Sequence, residues 1–144
     1  MKSPKILTKR SIIQFKKLFN ASDTIVKMTS REAFLAANHG VKATETGLYL
    51  QGRRRSEEKV IPADLIRVGF TCSKKLGNAV KRNKAKRRLT HLARHCLPKN
   101  GLPGWDYVLV GRKDETAIIP FSDLIKSFNN AIEKIHLKRE KINE

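Results

Sequence analysis

Acidic residues are missing from the middle of this chain: between Asp64 and Asp106 there is no Asp or Glu, while eleven Lys or Arg occur. Cysteine is scarce too. Cys72 and Cys96 lack the spacing of a disulfide framework or a metal knuckle, so nothing points to an oxidising compartment. No apolar run approaches the roughly 18 residues of a spanning helix. The opening MKSPKILTKR is basic but has neither the apolar core nor the cleavage site of a secretory signal. Paired carboxylates, a Ser–His arrangement and a glycine-rich phosphate loop are all absent, so no residue set is visible that would cleave a bond unaided. There are no internal repeats.

What the chain has instead is positive charge. Its 144 residues hold 31 Lys and Arg against 13 Asp and Glu, a formal net charge of +18. That length makes one ordinary domain, and 40% hydrophobic residues suffice for a core. A surplus this large strains the compact state by self-repulsion unless anions neutralise it, which points to nucleic acid or an anionic membrane. Solubility does not explain the segregation, because both signs would serve it. The densest run is KKLGNAVKRNKAKRRL, Lys74 to Leu89, with eight cations in sixteen positions and no acid.

Periodicity predicts an α+β domain. Residues 5 to 19 place Ile12, Phe15, Leu18 and Phe19 at helical spacing opposite lysines and Arg10. This is a short basic amphipathic helix, read as an accessory element; it is short for a membrane anchor and has no second one. TSREAFLAANHG predicts a helix capped by Ser30 or Thr29 and ended by Gly40. A short strand near Val41 to Thr44 follows, then the alternating GLYLQGR, with Leu48 and Leu50 on one face and Tyr49 and Gln51 on the other. RRRSEEKVIPADL reads as a loop. In IRVGFTCS, Val68, Phe70 and Cys72 face one way and Arg67, Gly69, Thr71 and Ser73 the other, a face small and polar enough to line a ligand. A long helix from Gly77 or Asn78 to about Leu97 comes next, ended by PKNG. The strand WDYVLVGR and the helix PFSDLIKSFNNAIEKIH, with Ser122 as its cap, complete the chain. The expectation is a small mixed sheet of about four strands packed with three helices.

The long helix carries an anomaly. At about 100° per residue, Ala79, Ala85, Leu89, Leu92, Ala93, Cys96 and Leu97 form one buried stripe, with Lys84, Arg87, Arg88, His91 and Arg94 opposite. Arg82 and Lys86 fall on the apolar side, Arg82 almost in line with Leu89. Either the first turns overhang the sheet edge or the two side chains snorkel. Overhang fits better with Gly77 and the small sheet face. Lys74 and Lys75 then flank a helix N-terminus whose free amides attract phosphate, giving a phosphate-binding corner. His91, His95 and Cys96 lack a fourth donor nearby, so no metal site is expected. Trp105 reads as core or rim packing, and Phe34 and Tyr49 as either core or a base-stacking surface.

From Lys75 to Arg88, KLGNAVKRNKAKRR resembles the bacterial ribonuclease P protein subunit, whose K-x-G-x-A-V-x-R-N-x-x-K/R-R pattern follows a strand of the RVGFTCSK kind. Lys75, Gly77, Ala79, Val80, Arg82, Asn83, Lys86 and Arg87 match it. The likeness extends from about Ser30 to His136, with FLAANHG and PFSDL of the alphaproteobacterial kind. It implies an RNA-binding domain at 29–138, an N-terminal extension at 1–28 with its own helix, and a polar tail at 139–144. The implied order is α-β-β-β-α-β-α with a left-handed βαβ crossover, against the usual right-handed preference.

The resemblance further implies a cytoplasmic protein whose partners are a catalytic RNA and precursor tRNA, with no membrane. The RNA would perform the Mg2+-dependent removal of the 5′ leader and hold the Mg2+; the protein would supply no catalytic residue, metal ligand or organic cofactor. By motif match, Lys74, Lys75, Arg82, Asn83, Lys86, Arg87 and Arg88 would meet the catalytic RNA. Phe34, Tyr49, Gln51, Thr71 and Ser73 would line a leader groove between the first helix and the sheet. Two positions depart from the pattern. Thr90 stands where relatives often carry another Arg, with Arg88 compensating, and Ala37 and Asn38 stand near the place of a second aromatic. A structural RNA binder of ribosomal type and a stand-alone nuclease are the competing readings, the latter opposed by the missing acid–base constellation.

Overall fold

Five strands and three helices make up the described residues, 25–55 and 64–142 of the computed structural model. In chain order they are β1 (Ile25–Lys27), α1 (Arg31–Asn38), β2 (Val41–Glu45), β3 (Leu48–Arg54), β4 (Ile66–Thr71), α2 (Ala79–Asn100), β5 (Trp105–Gly111) and α3 (Phe121–Ile142). A 3-10 turn, Lys74–Leu76, joins β4 to α2. The sheet order is β1-β4-β5-β3-β2, parallel at β1/β4 and β4/β5 and antiparallel elsewhere. This is the expected α+β class, with one strand more than the four anticipated. No helix among the described residues is long and apolar enough to cross a membrane.

Alternation decides the main core. Leu48, Leu50, Val68, Tyr107 and Leu109 point to one face of the sheet and meet Leu89 and Leu92 of α2 and Phe128, Ile132 and Ile135 of α3. The opposite face carries a smaller cluster in which Met28, Ala33, Ala37 and Val108 bury against Phe34 and Val110. Ser30 caps α1 by accepting the Ala33 N–H at 3.1 Å, and Asn78 caps α2 by accepting that of Lys81 at 3.0 Å.

Four sequence expectations need correction. β1 is only three residues long, too short to show alternation, yet Ile25 and Val26 are buried. The Met28 N–H donates to the Val68 carbonyl at 2.8 Å, so residues 25–28 belong to the domain and not to an extension. The helix expected over residues 5 to 19 lies outside the described residues. α2 runs through Pro98 to Asn100, because a proline in the last turn removes one hydrogen bond without breaking what precedes it. The Gly101 N–H closes the helix on the Leu97 carbonyl. α3 starts at Phe121, with the Asp123 and Leu124 amides donating to the Pro120 carbonyl, so Ser122 lies inside it. It continues to Ile142, making residues 139–142 helix and not tail.

One buried acid ties the second face together. Asp106 is fully buried and accepts from Arg67 Nε at 2.7 Å, Arg67 Nη2 at 2.5 Å and Arg55 Nη1 at 2.7 Å, with Arg53 Nη1 at 3.5 Å. Arg55 also donates to the carbonyls of Trp105 and Leu65, pinning the chain after β3 to the start of β4. Removing one partner of such a cluster leaves buried charge uncompensated. Asp106→Asn is expected to lower the urea-unfolding free energy by about 3–5 kcal/mol. Lys134→Ala, which breaks the more exposed pair with Glu45, is expected to change it by less than about 1 kcal/mol. Equal losses in the two variants would show that the arginine cluster is not a structural centre.

Candidate nucleic-acid interface

Strand register sorts the second sheet face into three rows. Arg67, Asp106 and Arg53 are neighbours across β4, β5 and β3, and their ion pairs seal the first row. The second row is Gly69, Val108 and Gln51, and it lies under α1. A Cβ on Gly69 would stand 2.6 Å from Phe34 Cε1, so this glycine is what lets the Phe34 ring lie on the strand. Gln51 is buried, and its amide donates to Asn38 Oδ1 at 3.2 Å. The third row is Thr71, Val110 and Tyr49, of which Val110 packs partly against the cluster under α1 while Thr71 is exposed and Tyr49 half-buried. Two strand spacings put Thr71 roughly 10 Å from Tyr49 across this row.

β1 stops at Lys27, opposite Val68, and the chain turns away into α1. Among the described residues the upper half of β4 is therefore an open edge, and Phe70 presents its backbone to that side as Val68 does to β1. A cavity of about 490 Å³ occupies this gap. Phe34 forms one wall, Phe70, Thr71 and Cys72 the strand side, and Ala79, Arg82, Asn83 and Lys86 the helix side. Ala79 is exposed and Val80 is 76% exposed, so the first turns of α2 do overhang the sheet edge. Gly77 makes the overhang possible: its φ of 122° lies where side chains are disfavoured, and it turns the chain from the 3-10 turn into α2.

The charge on this corner is uncompensated. Lys74, Lys75, Arg82, Lys86 and Arg87 have no ion-pair partner among the described residues. Arg82 is half-buried and its Nε is a buried donor with no acceptor among those residues, an arrangement that costs free energy until an acceptor arrives. Asn78 satisfies the Lys81 amide, while the first two helical amides, on exposed Ala79 and Val80, have no intrahelical partner. The assembly can hold phosphate oxygens by charge and hydrogen bonds, with an aromatic ring and a strand edge alongside.

Of the sequence-derived candidates, the cavity brings together Phe34, Thr71, Arg82, Asn83 and Lys86. Tyr49 is half-buried in the adjoining open row. Ser73, Lys74, Lys75 and Arg87 are exposed beside the cavity and do not line it. Two candidates are placed otherwise. Gln51 faces the expected way but is spent on Asn38, the residue standing near the expected second aromatic. Arg88 donates to the carbonyls of Thr116 and Ile119 at 3.0 and 2.6 Å, so it fastens a loop and adds no free cation to the row. Thr90 donates to the Lys86 carbonyl of its own helix. His95 packs edge-on against Phe121, and Cys96 is buried.

Sequence reasoning missed Phe70 and Cys72 as lining residues. Their alternation assigned them to the core, and only the early stop of β1 exposes their edges. Burial raises the Cys72 thiol pKa, and nearby Lys86 and the Gly111 backbone offset this in part.

The sequence profile described as Ribonuclease P matches residues 22–136. The ribonuclease P protein component of Ruegeria pomeroyi is 47% identical over 116 residues, covering 81% of this chain and 90% of that one. That of Paramagnetospirillum magneticum is 43% identical over 89 residues, covering 62% and 65% of the two chains. The structure of the Staphylococcus aureus RNase P protein superposes with a TM-score of 0.58 over 74% of this chain and 92% of that one. Its identity is 21%, so this likeness speaks for a shared fold.

The Cys72 environment gives a direct probe of the cavity. The thiol is raised above its ordinary value of 9.0, so it is protonated at neutral pH and its alkylation by iodoacetamide is expected to be slow, with a pH midpoint above 9.0. Lys86→Glu is expected to move the midpoint higher still, since a cation beside the thiolate is replaced by an anion. Peptide mapping separates Cys72 from Cys96, whose thiol is pushed up to about 11 by burial. A midpoint below the ordinary value, or one insensitive to Lys86→Glu, would contradict this geometry.

Proposed function

The chain belongs to the ribonuclease P protein family, and from that premise we propose that it is the protein subunit of a cytoplasmic endoribonuclease holoenzyme that matures tRNA 5′ ends. In this reading the α2 corner docks on a catalytic RNA, and the open row of the sheet grips the 5′ leader of precursor tRNA. The observation that carries it is that Arg82 and Lys86 line one cavity with no ion-pair partner among the described residues, Arg82 Nε being buried without an acceptor among them, while Lys74, Lys75 and Arg87 lie exposed beside it. Electrostatics supply most affinity for RNA, and a partly desolvated arginine on one wall of the cavity directs it to one place. The aromatic and small residues of the Thr71–Val110–Tyr49 row suit unpaired bases, which stack on side chains in a sequence-tolerant way.

The chemical step is assigned to the RNA. Hydrolysis of this kind needs Mg2+, which is held by oxygen ligands. The cavity offers no carboxylate, and its Arg82 and Lys86 side chains repel a divalent cation. Among the described residues no three His, Cys, Asp or Glu side chains come together as a metal site. The protein's part is to hold two polyanions close and to screen their repulsion, which lowers the magnesium the complex requires.

Reconstitution with the cognate catalytic RNA tests this. The protein alone is expected to cleave nothing and to stimulate cleavage of leader-bearing precursor at low Mg2+. Failure to stimulate at any salt concentration would overturn the reading, and equal affinity for leader-bearing and mature tRNA would favour a structural RNA binder. Arg82→Ala is expected to weaken assembly with the catalytic RNA by about 10-fold or more, against little change for Lys99→Ala at the far end of α2. Tyr49→Ala is expected to reduce discrimination between leader-bearing and mature tRNA while leaving affinity for the catalytic RNA nearly intact.

A further inference from the structure

A second cavity, of about 190 Å³, opens on the other flank of α2. Its helix side is Lys81, Lys84 and Ala85, whereas the first cavity takes Ala79, Arg82, Asn83 and Lys86; at about 100° per residue these sets lie on opposite sides of the helix. Leu76 and the loop residues Ala117 and Ile118 give it an apolar lining, joined by Arg112 and the exposed Asp114.

The loop wall is built rigidly. The Arg112 N–H donates to Thr116 Oγ1 at 2.7 Å, and that hydroxyl donates to the Gly47 carbonyl at 2.6 Å. Gly47 N–H donates back to Glu115 Oε1, the Arg112 guanidinium reaches the Glu45 carbonyl, and Arg88 holds two further loop carbonyls. This clamped loop nevertheless leaves Ile118 70% exposed and holds Asp114 at a φ of 61°, in the left-handed region that Asp tolerates better than most residues. Lys81, Lys84 and Asp114 have no ion-pair partner among the described residues.

We propose that this cavity receives one unpaired RNA nucleotide, so that the first turns of α2 are held by RNA from both flanks. The proposal rests on the RNA-binding reading above and extends it to a face that reading does not use. The volume falls below the roughly 300 Å³ at which small-molecule sites begin, and it suits a single planar group. The base lies on Ile118 and Ala117, Lys81 and Lys84 take the flanking phosphates, and the Asp114 carboxylate accepts from an exocyclic amine, as acids do from cytosine N4. That acid within a cationic site selects an amine-bearing base against uracil. The nucleotide comes from the catalytic RNA or from the precursor, and the recognition chemistry is the same for both.

The test uses the full chain carrying a p-benzoylphenylalanine in place of Ile118, irradiated with catalytic RNA, with precursor tRNA, and with both. A photo-crosslink to one unpaired G, C or A is expected, and the arm that yields it identifies the source. The Lys81→Ala, Lys84→Ala double variant is expected to reduce crosslink yield and to make the log–log salt dependence of binding shallower by about 1–2 units. Both lysines are exposed, so the variant is expected to fold as the parent does. Efficient RNA binding with no crosslink above that from the same photoprobe at exposed Lys126, or with crosslinks scattered over paired nucleotides, would overturn this proposal and leave the functional reading standing. Loss of all RNA binding by the unmodified chain would remove both.

Discussion

A five-stranded sheet has two faces to cover, and this chain covers them unequally. α2 and α3, at 22 residues each, are about 33 Å long and span the inner face. α1 has eight residues and is about 12 Å long, while the sheet is about 19 Å wide between its outer strands. A helix that short cannot close the outer face. The three rows are the consequence. One is sealed by ion pairs on Asp106, one lies under α1, and the third is covered only at Val110 by the described residues. The early stop of β1 adds an open strand edge beside that last row, and α2 overhangs it. The site is thus a remainder of the packing, placed where the sheet runs out of helix and of strand.

The cations divide by whether the fold supplies them an oxygen. Arg67, Arg55 and Arg53 share Asp106, and Arg88 is taken up by main-chain carbonyls of the 112–120 loop. With 31 basic residues against 13 acids, the fold cannot do this for all of them. The cations left over on the front of α2 are concentrated within a few turns. That a charge lies in a basic run says little about its role. Arg87 and Arg88 are adjacent in sequence, yet one is an exposed cation with no ion-pair partner among the described residues and the other fastens a loop.

Much of this was legible in the sequence because period-2 and period-3.6 patterns survive wherever one face is buried. The alternation of IRVGFTCS and GLYLQGR assigned the correct faces to Gly69, Thr71 and Tyr49, and the helical wheel singled out Arg82 and Lys86 as misplaced. What it could not give came from partners distant in sequence. Gln51 was expected in the groove because nothing local says that Asn38 will bind its amide. β1 is three residues long and made visible only by pairing with β4. Phe70 and Cys72 belong to the core by alternation and reach the cavity only because β1 ends opposite Val68. Ser122 has the side chain of a cap, but the carbonyl that starts the helix is that of Pro120, two residues earlier.

The first turns of α2 carry local electrostatic terms that an anion would reverse. Cations at a helix N-terminus oppose the macrodipole by about 0.3–1 kcal/mol. Like-charge pairs such as Arg82 with Lys86 and Lys84 with Arg88 cost about 0.2–0.5 kcal/mol each, and no acid in the first turn offsets them. The helix stands because its second half buries Leu89, Leu92, Ala93, Cys96 and Leu97 completely enough to carry the rest. A phosphate backbone at the corner would reverse every one of these local terms at once: it would satisfy the dipole, screen the pairs and supply the acceptor that Arg82 Nε lacks among the described residues. The features that weaken α2 alone are therefore those that strengthen it in a complex, so RNA binding and helix stability are thermodynamically linked. That linkage separates a docking helix from a merely soluble one, whose mixed charges would be content in water.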